Sequence, residues 1–360
     1  MAKAMKGSCP PGAAILGVLA LLAANCAAPP HGARDEAKAE ARAASAPMVS
    51  PLPPAPPWRS EHLADHPLAG RIYQPGSDRF ISPSALIAAL GRADMVLLGE
   101  KHDNADHHRL QDWVLRALIA KGRRPAVAFE MFTADKAPVI AAHLAKNPRD
   151  AAGLGPALGW SKTGWPDWRH YRPIAQAALD SGLSLIAANL PRPLVRKIAK
   201  EGLGALSPTL RARLGLDSPF DEGIADAMTS EIVDTHCGML APERTGRFVD
   251  IQRARDAHLA RSLADAAAAG PDGAVLITGG GHARTDRGVP MHLATMAPGR
   301  TVAVLAMIEV TAAENAPGTY ARRYGAKRLP FDFVWFTARH DIGDPCEKFR
   351  KQMQKLKKIP

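Results

Sequence analysis

Five strand-length runs in this chain are apolar at nearly every position rather than at alternate ones, and nothing else constrains its fold as tightly. They are "MVLLG" (residues 95–99), "AVAFEMF" (126–132), "LSLIAAN" (183–189), "AVLITGG" (274–280) and "TVAVLAMIEV" (301–310). A strand with one wet face alternates apolar and polar residues, whereas a strand apolar on both sides must be covered on both, as in parallel α/β sheets. The segments between the runs have helical spacing. "DNADHHRLQDWVLRALIAKG" (103–122) sets apolar residues three and four apart and stops at Gly122. "ISPSALIAALGRA" (81–93) offers Ser82 as a cap, Pro83 as first helical residue and Gly91 near the end. Strand and helix in repeated alternation predict an α/β protein: a three-layer fold with a mainly parallel sheet and right-handed crossovers. Residues 191–270 carry helical patterns alone and read as a helical insertion or cap. "FDFVWFTA" (331–338) reads as a final edge strand.

The N-terminal part cannot belong to this core. Lys3 and Lys6 precede an apolar run, "AAILGVLALLAA" (13–24), too short to span a bilayer and followed by small residues. Basic, then apolar, then small is the order of a secretory signal, so residues 1–26 are expected to direct export from a bacterial cytoplasm, to the periplasm or the outer membrane. Cys26 stands where a lipoprotein cysteine would be acylated and hold the chain on a membrane. Asn25 departs from the small residue usual there, and cleavage after Ala28 is the competing reading. Residues 27–57, rich in alanine and proline and poor in large apolar residues, read as a disordered tether. The folded domain is expected over 58–340 and a basic tail over 341–360. With export expected, the net charge of +11 suits a membrane surface or an anionic ligand. No nucleic-acid-binding motif is present, and nucleic acid is not an expected partner. Cys237 and Cys346 are the two body cysteines; they suffice for one disulfide, and without C-x-x-C-H covalent haem attachment is not indicated.

In an open parallel sheet ligands bind beyond the carboxyl ends of the strands. Glu100 and His102 follow the first run, Glu130 ends the second and Asn189 the third; His282, Arg284 and Asp286 follow the fourth, and Glu309 stands in the fifth. A single acid there can simply cap a helix. Together, Glu100, His102, Glu130 and His282 bring two carboxylates and two imidazoles to one rim, suited to a divalent metal ion or to acid–base catalysis. His107 and His108 read as a solvated helix face. In "DTHCGML", His236, Cys237 and Met239 are soft-metal or haem-iron ligand types, although a helix end with Gly238 as cap explains the same letters. "QRARDAHL" puts Gln252, Arg255 and Asp256 on one helical face, turned into a site or toward water. "GWPDWRHYRPI" (164–174) adds Tyr171 as an axial-ligand candidate.

The ordered set "LLGEKHDNADHH", "AFEMF", "HCGML", "QRARDAHLA" and "TGGGHARTDRGVP" resembles the ChaN-like haem-binding lipoproteins of the Tiki and erythromycin esterase superfamily, from about Ile72 to Val310. The resemblance implies cofacial haem binding at a homodimer interface, a role in iron uptake at the cell envelope, and axial ligation by tyrosine. It also implies that Glu100, His102, Glu130 and His282 are the shared active-site set. On this reading Tyr171, His236, Cys237, Met239, Arg284 and Asp256 are the candidates for holding haem or iron. The alternative is a metal-dependent hydrolase in which Glu100 or Glu130 acts as general base. A periplasmic binding protein for another anionic ligand fits only the charge.

Overall fold

In the computed structural model, residue 52, residues 54–240 and residues 242–356 are described. The expected signal segment, Cys26 and most of the tether lie outside them. The strands are β1 (Ile72–Gln74), β2 (Arg79–Ile81), β3 (Met95–Glu100), β4 (Ala126–Thr133), β5 (Leu185–Asn189), β6 (Ala274–Gly279), β7 (Val302–Glu309) and β8 (Phe333–Thr337). They form one eight-stranded sheet in the order β2-β1-β8-β7-β3-β6-β4-β5. From β8 to β5 all neighbours are parallel, and the β1–β2 hairpin adds an antiparallel edge.

Helices connect and cover these strands: α1 (Pro83–Leu90), α2 (Ala105–Ala120), α3 (Ala137–Lys146), α4 (Ala151–Ala157) and α5 (Trp168–Asp180). Between β5 and β6 come α6 (Arg192–Glu201), α7 (Pro208–Arg213), α8 (Glu222–Thr235) and the long α9 (Pro242–Ala268). Then follow α10 (Val289–Met296) and α11 (Pro345–Leu356). Caps start α1 and α2 where the sequence suggests: the Ser82 hydroxyl accepts from the Ala85 N–H, and Asn104 accepts from Asp106 and His107.

Because β3 is buried on both faces, its side chains feed two cores. Val96 and Leu98 pack with Leu110, Val114 and Leu118 of α2 and Ile174 of α5. Met95 and Leu97 pack with Leu259 and Leu263 of α9 and Leu293 of α10. Each such buried side chain contributes about 1.5–3 kcal/mol of hydrophobic transfer. A separate cluster of Leu190, Ile198, Leu206, Leu214, Ala254 and Ala257 binds α6, α9 and the chain around α7 to one another.

One local expectation is corrected. β8 is interior, paired with β7 on one side and β1 on the other, and all five of its residues are buried. An unbroken apolar pattern needs that double cover; the hairpin takes the edge instead. The aromatic stretch at 164–174 is largely helix: α5 starts at Trp168, with Asp167 capping the Arg169 N–H at 2.8 Å.

Candidate functional site at the carboxyl ends of the strands

Parallel register brings the polar ends together. Glu100 closes β3 opposite Gly279, the last residue of β6, and Glu130 stands on β4, the other neighbour of β6. A Cβ at Gly279 would lie 2.9 Å from His102 Cε1, so a side chain there would force the ring to shift. The imidazole therefore rests on bare backbone. The loop after β6 then delivers His282.

The four rim residues of the sequence reading form one charged chain with three residues supplied by α9 and β5. His102 Nδ1 meets Glu100 Oε1 at 2.6 Å. Glu130 Oε1 accepts from Arg255 Nη2 at 2.6 Å, with His282 Nε2 at 3.4 Å and His102 Nε2 at 4.0 Å. Its Oε2 accepts from the Gly279 N–H at 2.7 Å and the Thr278 hydroxyl at 2.8 Å. His282 Nδ1 donates to Asp256 Oδ1 at 2.5 Å, and Asn189 donates to the Glu130 carbonyl at 2.8 Å. The polar stripe of α9 thus points into the site. Glu100 Oε2 is buried and has no hydrogen-bond partner among the described residues; leaving such an acceptor bare costs about 1–3 kcal/mol, so a donor arriving from a ligand would be stabilised there.

The charges support one another. Burial opposes a charged His102, but the Glu100 carboxylate outweighs it by charge and hydrogen bond, with Glu130 adding, and raises its pKa to about 9. Burial likewise opposes charge on His282, and Glu130 and Asp256 raise it nonetheless. Burial works against the Glu130 carboxylate, yet His282, Arg255 and His102 hold it well below the usual carboxylate range.

Above this floor lies a cavity of about 930 Å³, with apolar walls from Met228 and Ile232 of α8, Phe248 and Ile251 of α9, and Met307 and Ile308 of β7. That is the size of a cofactor site. His236, at the end of α8, also lines it. Its Nδ1–H donates to the Ile232 carbonyl at 2.7 Å, and its ring stands edge-on to Phe248 and to Phe349 of α11. A histidine tied through one nitrogen to a carbonyl presents a lone pair on the other, the arrangement usual in metal-ligating imidazoles.

Other candidates stand elsewhere. Cys237 is disulfide-bonded to Cys346, so it offers no thiolate. Met239 is 45% exposed and outside the cavity lining. Arg284 is buried outside that lining, paired with Asp286 at 2.6 Å and Glu231 at 3.1 Å. Tyr171 is buried against His108 and Trp160, also outside the lining, and burial raises its pKa. His107 and His108 are buried rather than solvated. His107 accepts the Lys101 N–H at 2.9 Å, donates to the Thr337 hydroxyl at 2.7 Å, and is kept neutral by burial. His108 Nε2 donates to the His102 carbonyl at 3.0 Å. Tyr324, which the sequence reading passed over, lines the cavity; burial pushes it up to about 12.

The rim set does not form a compact metal cage. Among the described residues, only Asp103, His340 and Asp341, on the surface, offer three ligand atoms within 4.8 Å of one another. At Glu130 the Arg255 guanidinium holds the place a cation would compete for.

A family model described as "Haem-binding uptake, Tiki superfamily, ChaN" matches residues 86–293. Among solved structures the chain is similar to ChaN of Campylobacter jejuni, in a structure described as showing cofacial heme binding. The TM-score is 0.55 at 22% identity, covering 73% of this chain and 95% of that one. This likeness concerns the fold. The type III effector HopBA1 aligns with a TM-score of 0.37 at 12% identity, covering 80% of this chain and 98% of that one. An erythromycin esterase mutant, EreC in its open conformation, gives 0.36 at 14%, covering 67% and 78%. No curated protein matches the chain in sequence.

Proposed function

The chain belongs to the ChaN haem-binding uptake family of the Tiki superfamily, and from that premise we propose that its cavity beyond the carboxyl ends of the strands binds haem, with His236 as the iron ligand. One observation carries the reading: an imidazole whose Nδ1 is engaged by a backbone carbonyl lines an apolar-walled cavity of about 930 Å³. The residues fit the group, since a nitrogen donor on an apolar wall is what a haem iron takes axially. Bound haem would supply an iron able to take a nitrogen donor; the chain does the rest. The Ile232 carbonyl fixes the His236 tautomer, Phe248 and Phe349 hold the ring edge-on, and the apolar walls exclude water. Tyr324 is the second donor on the wall, and burial disfavours its phenolate. Below them the Glu100–His102–Glu130 chain keeps protonated imidazole on the floor at neutral pH.

A role in haem or iron uptake at the cell envelope follows as the finer part of the proposal. The signal-like residues 1–26, Cys26 and the tether support export and lipid anchoring; among the described residues no helix is long and apolar enough to cross a membrane. A homodimer is supported by Met239 and Ile342, large apolar side chains left exposed close in sequence to the bridged cysteines. Hemin titrated into the purified protein is expected to give a Soret shift that saturates at defined stoichiometry. His236→Ala is expected to move the Soret maximum and weaken binding at least tenfold, about 1.4 kcal/mol or more. A wild-type titration with no spectral change removes the proposal.

A further inference from the structure

The large cavity is poor in free positive charge. Each cation on its wall already has a carboxylate: Lys101 has Glu309 and Asp103, Arg255 has Glu130, Arg287 has Glu231, and Arg323 has Glu314. A second cavity of about 360 Å³ adjoins it, and Trp165 lines both. Around this smaller space stand Lys136, Lys162, Arg192 and Arg196 against the one carboxylate of Asp135. None of the four cations has a carboxylate partner among the described residues; Arg192 donates only to the Thr163 carbonyl. The N-terminus of α6, at Arg192, carries no side-chain cap and adds the positive end of its dipole. Single exposed cations bind anions weakly in water, but four lining one concave space against a single carboxylate raise the local potential.

We infer that Lys136, Lys162, Arg192 and Arg196 form an anion subsite that takes the propionate edge of a haem lying in the neighbouring cavity, with Trp165 as the shared wall. The inference rests on the proposed haem binding and adds where the ligand's negative charge goes. Chemistry settles the division of labour. The large cavity gives an apolar wall and an iron donor but only neutralised cations, whereas the small one gives unneutralised cations and almost no counter-charge. A free phosphate or pyrophosphate would satisfy the same four groups, and the test separates the two sources.

Full-length protein and its Lys162→Glu/Arg196→Glu variant are titrated with hemin, with hemin dimethyl ester and with pyrophosphate. Both positions are exposed, so an unchanged melting temperature is expected to show the fold intact. The expected result is a loss of at least tenfold in hemin affinity for the variant, with the ester binding both proteins alike. Equal hemin affinity in the two proteins overturns the subsite and leaves haem binding standing. An equal loss for hemin and ester also overturns it, since the propionates would then not be what the residues read. If wild type takes no hemin, haem binding itself fails. Pyrophosphate binding that the variant abolishes would then assign the pocket to a free anion, against the propionate reading.

Discussion

Gly279 shows how tightly single residues set this site. It leaves room for His102, and Gly279→Ala would drive a methyl group to 2.9 Å from the imidazole. The expected outcome is a displaced His102, separated from Glu100, with its NMR-titrated pKa falling back toward the ordinary histidine value of about 6.5. An unchanged titration would mean the ring has room the geometry denies. His102 also makes stability depend on pH. Its pKa is raised to about 9 in the folded protein from the ordinary histidine value of 6.5. Stability from the charged imidazole is therefore fully present below about pH 6.5 and is lost as pH rises through about 9. Melting temperature is expected to fall between pH 7 and 10, and to fall less steeply in His102→Gln. The slope does not vanish there, because His282 is raised as well. Sequence logic found Glu100, His102, Glu130 and His282 because they follow or end runs that read as buried strands. It missed the burial of His107 and His108, since a period of 3.6 locates a helix face only if one knows what covers it; β8 covers His107 through Thr337.

At the scale of elements, the disulfide decides what becomes of the C-terminal helix. Cys237 and Cys346 lie 109 residues apart, and their bridge holds α11 to the end of α8. Closing a loop of that length lowers unfolded-state entropy by roughly 4–5 kcal/mol in the chain-entropy model, less where the helix can undock alone. Phe349 of α11 also packs against His236. Reduction, or Cys346→Ser, is expected to raise hydrogen exchange in α11 and at the end of α8 while β3, β6 and β7 stay protected. Hemin affinity should fall severalfold as the His236 ring loosens. Uniform loss of protection across the sheet would contradict this. β3, β4, β6 and β7 are legible in the sequence because nearly every position is apolar, and α1 and α2 because caps mark the start. The β1–β2 hairpin is not, because three-residue strands carry almost no periodicity. β8 was found but placed at the edge, since pairing order is a tertiary property that no local pattern encodes.

At the scale of the domain, the described residues form a mainly parallel sheet whose carboxyl ends open beneath helices inserted between β5 and β6. That insertion supplies most of the site's ceiling and, through α9, two members of its charge network: Arg255 against Glu130 and Asp256 against His282. The rim of the sheet was legible because strand ends follow from strand runs. The proposed iron donor was less so, because whether His236 or Tyr324 faces the cavity depends on how α8 and the segment after β7 fold back over it. The central claim is that haem occupies this cavity with its iron on His236. Crystals of the hemin-loaded protein, with the iron located by its anomalous scattering, test it most directly. The iron should lie within the cavity bonded to His236 Nε2. Iron on the outer surface, or in the cavity but bonded to another side chain with His236 turned away, would contradict the account.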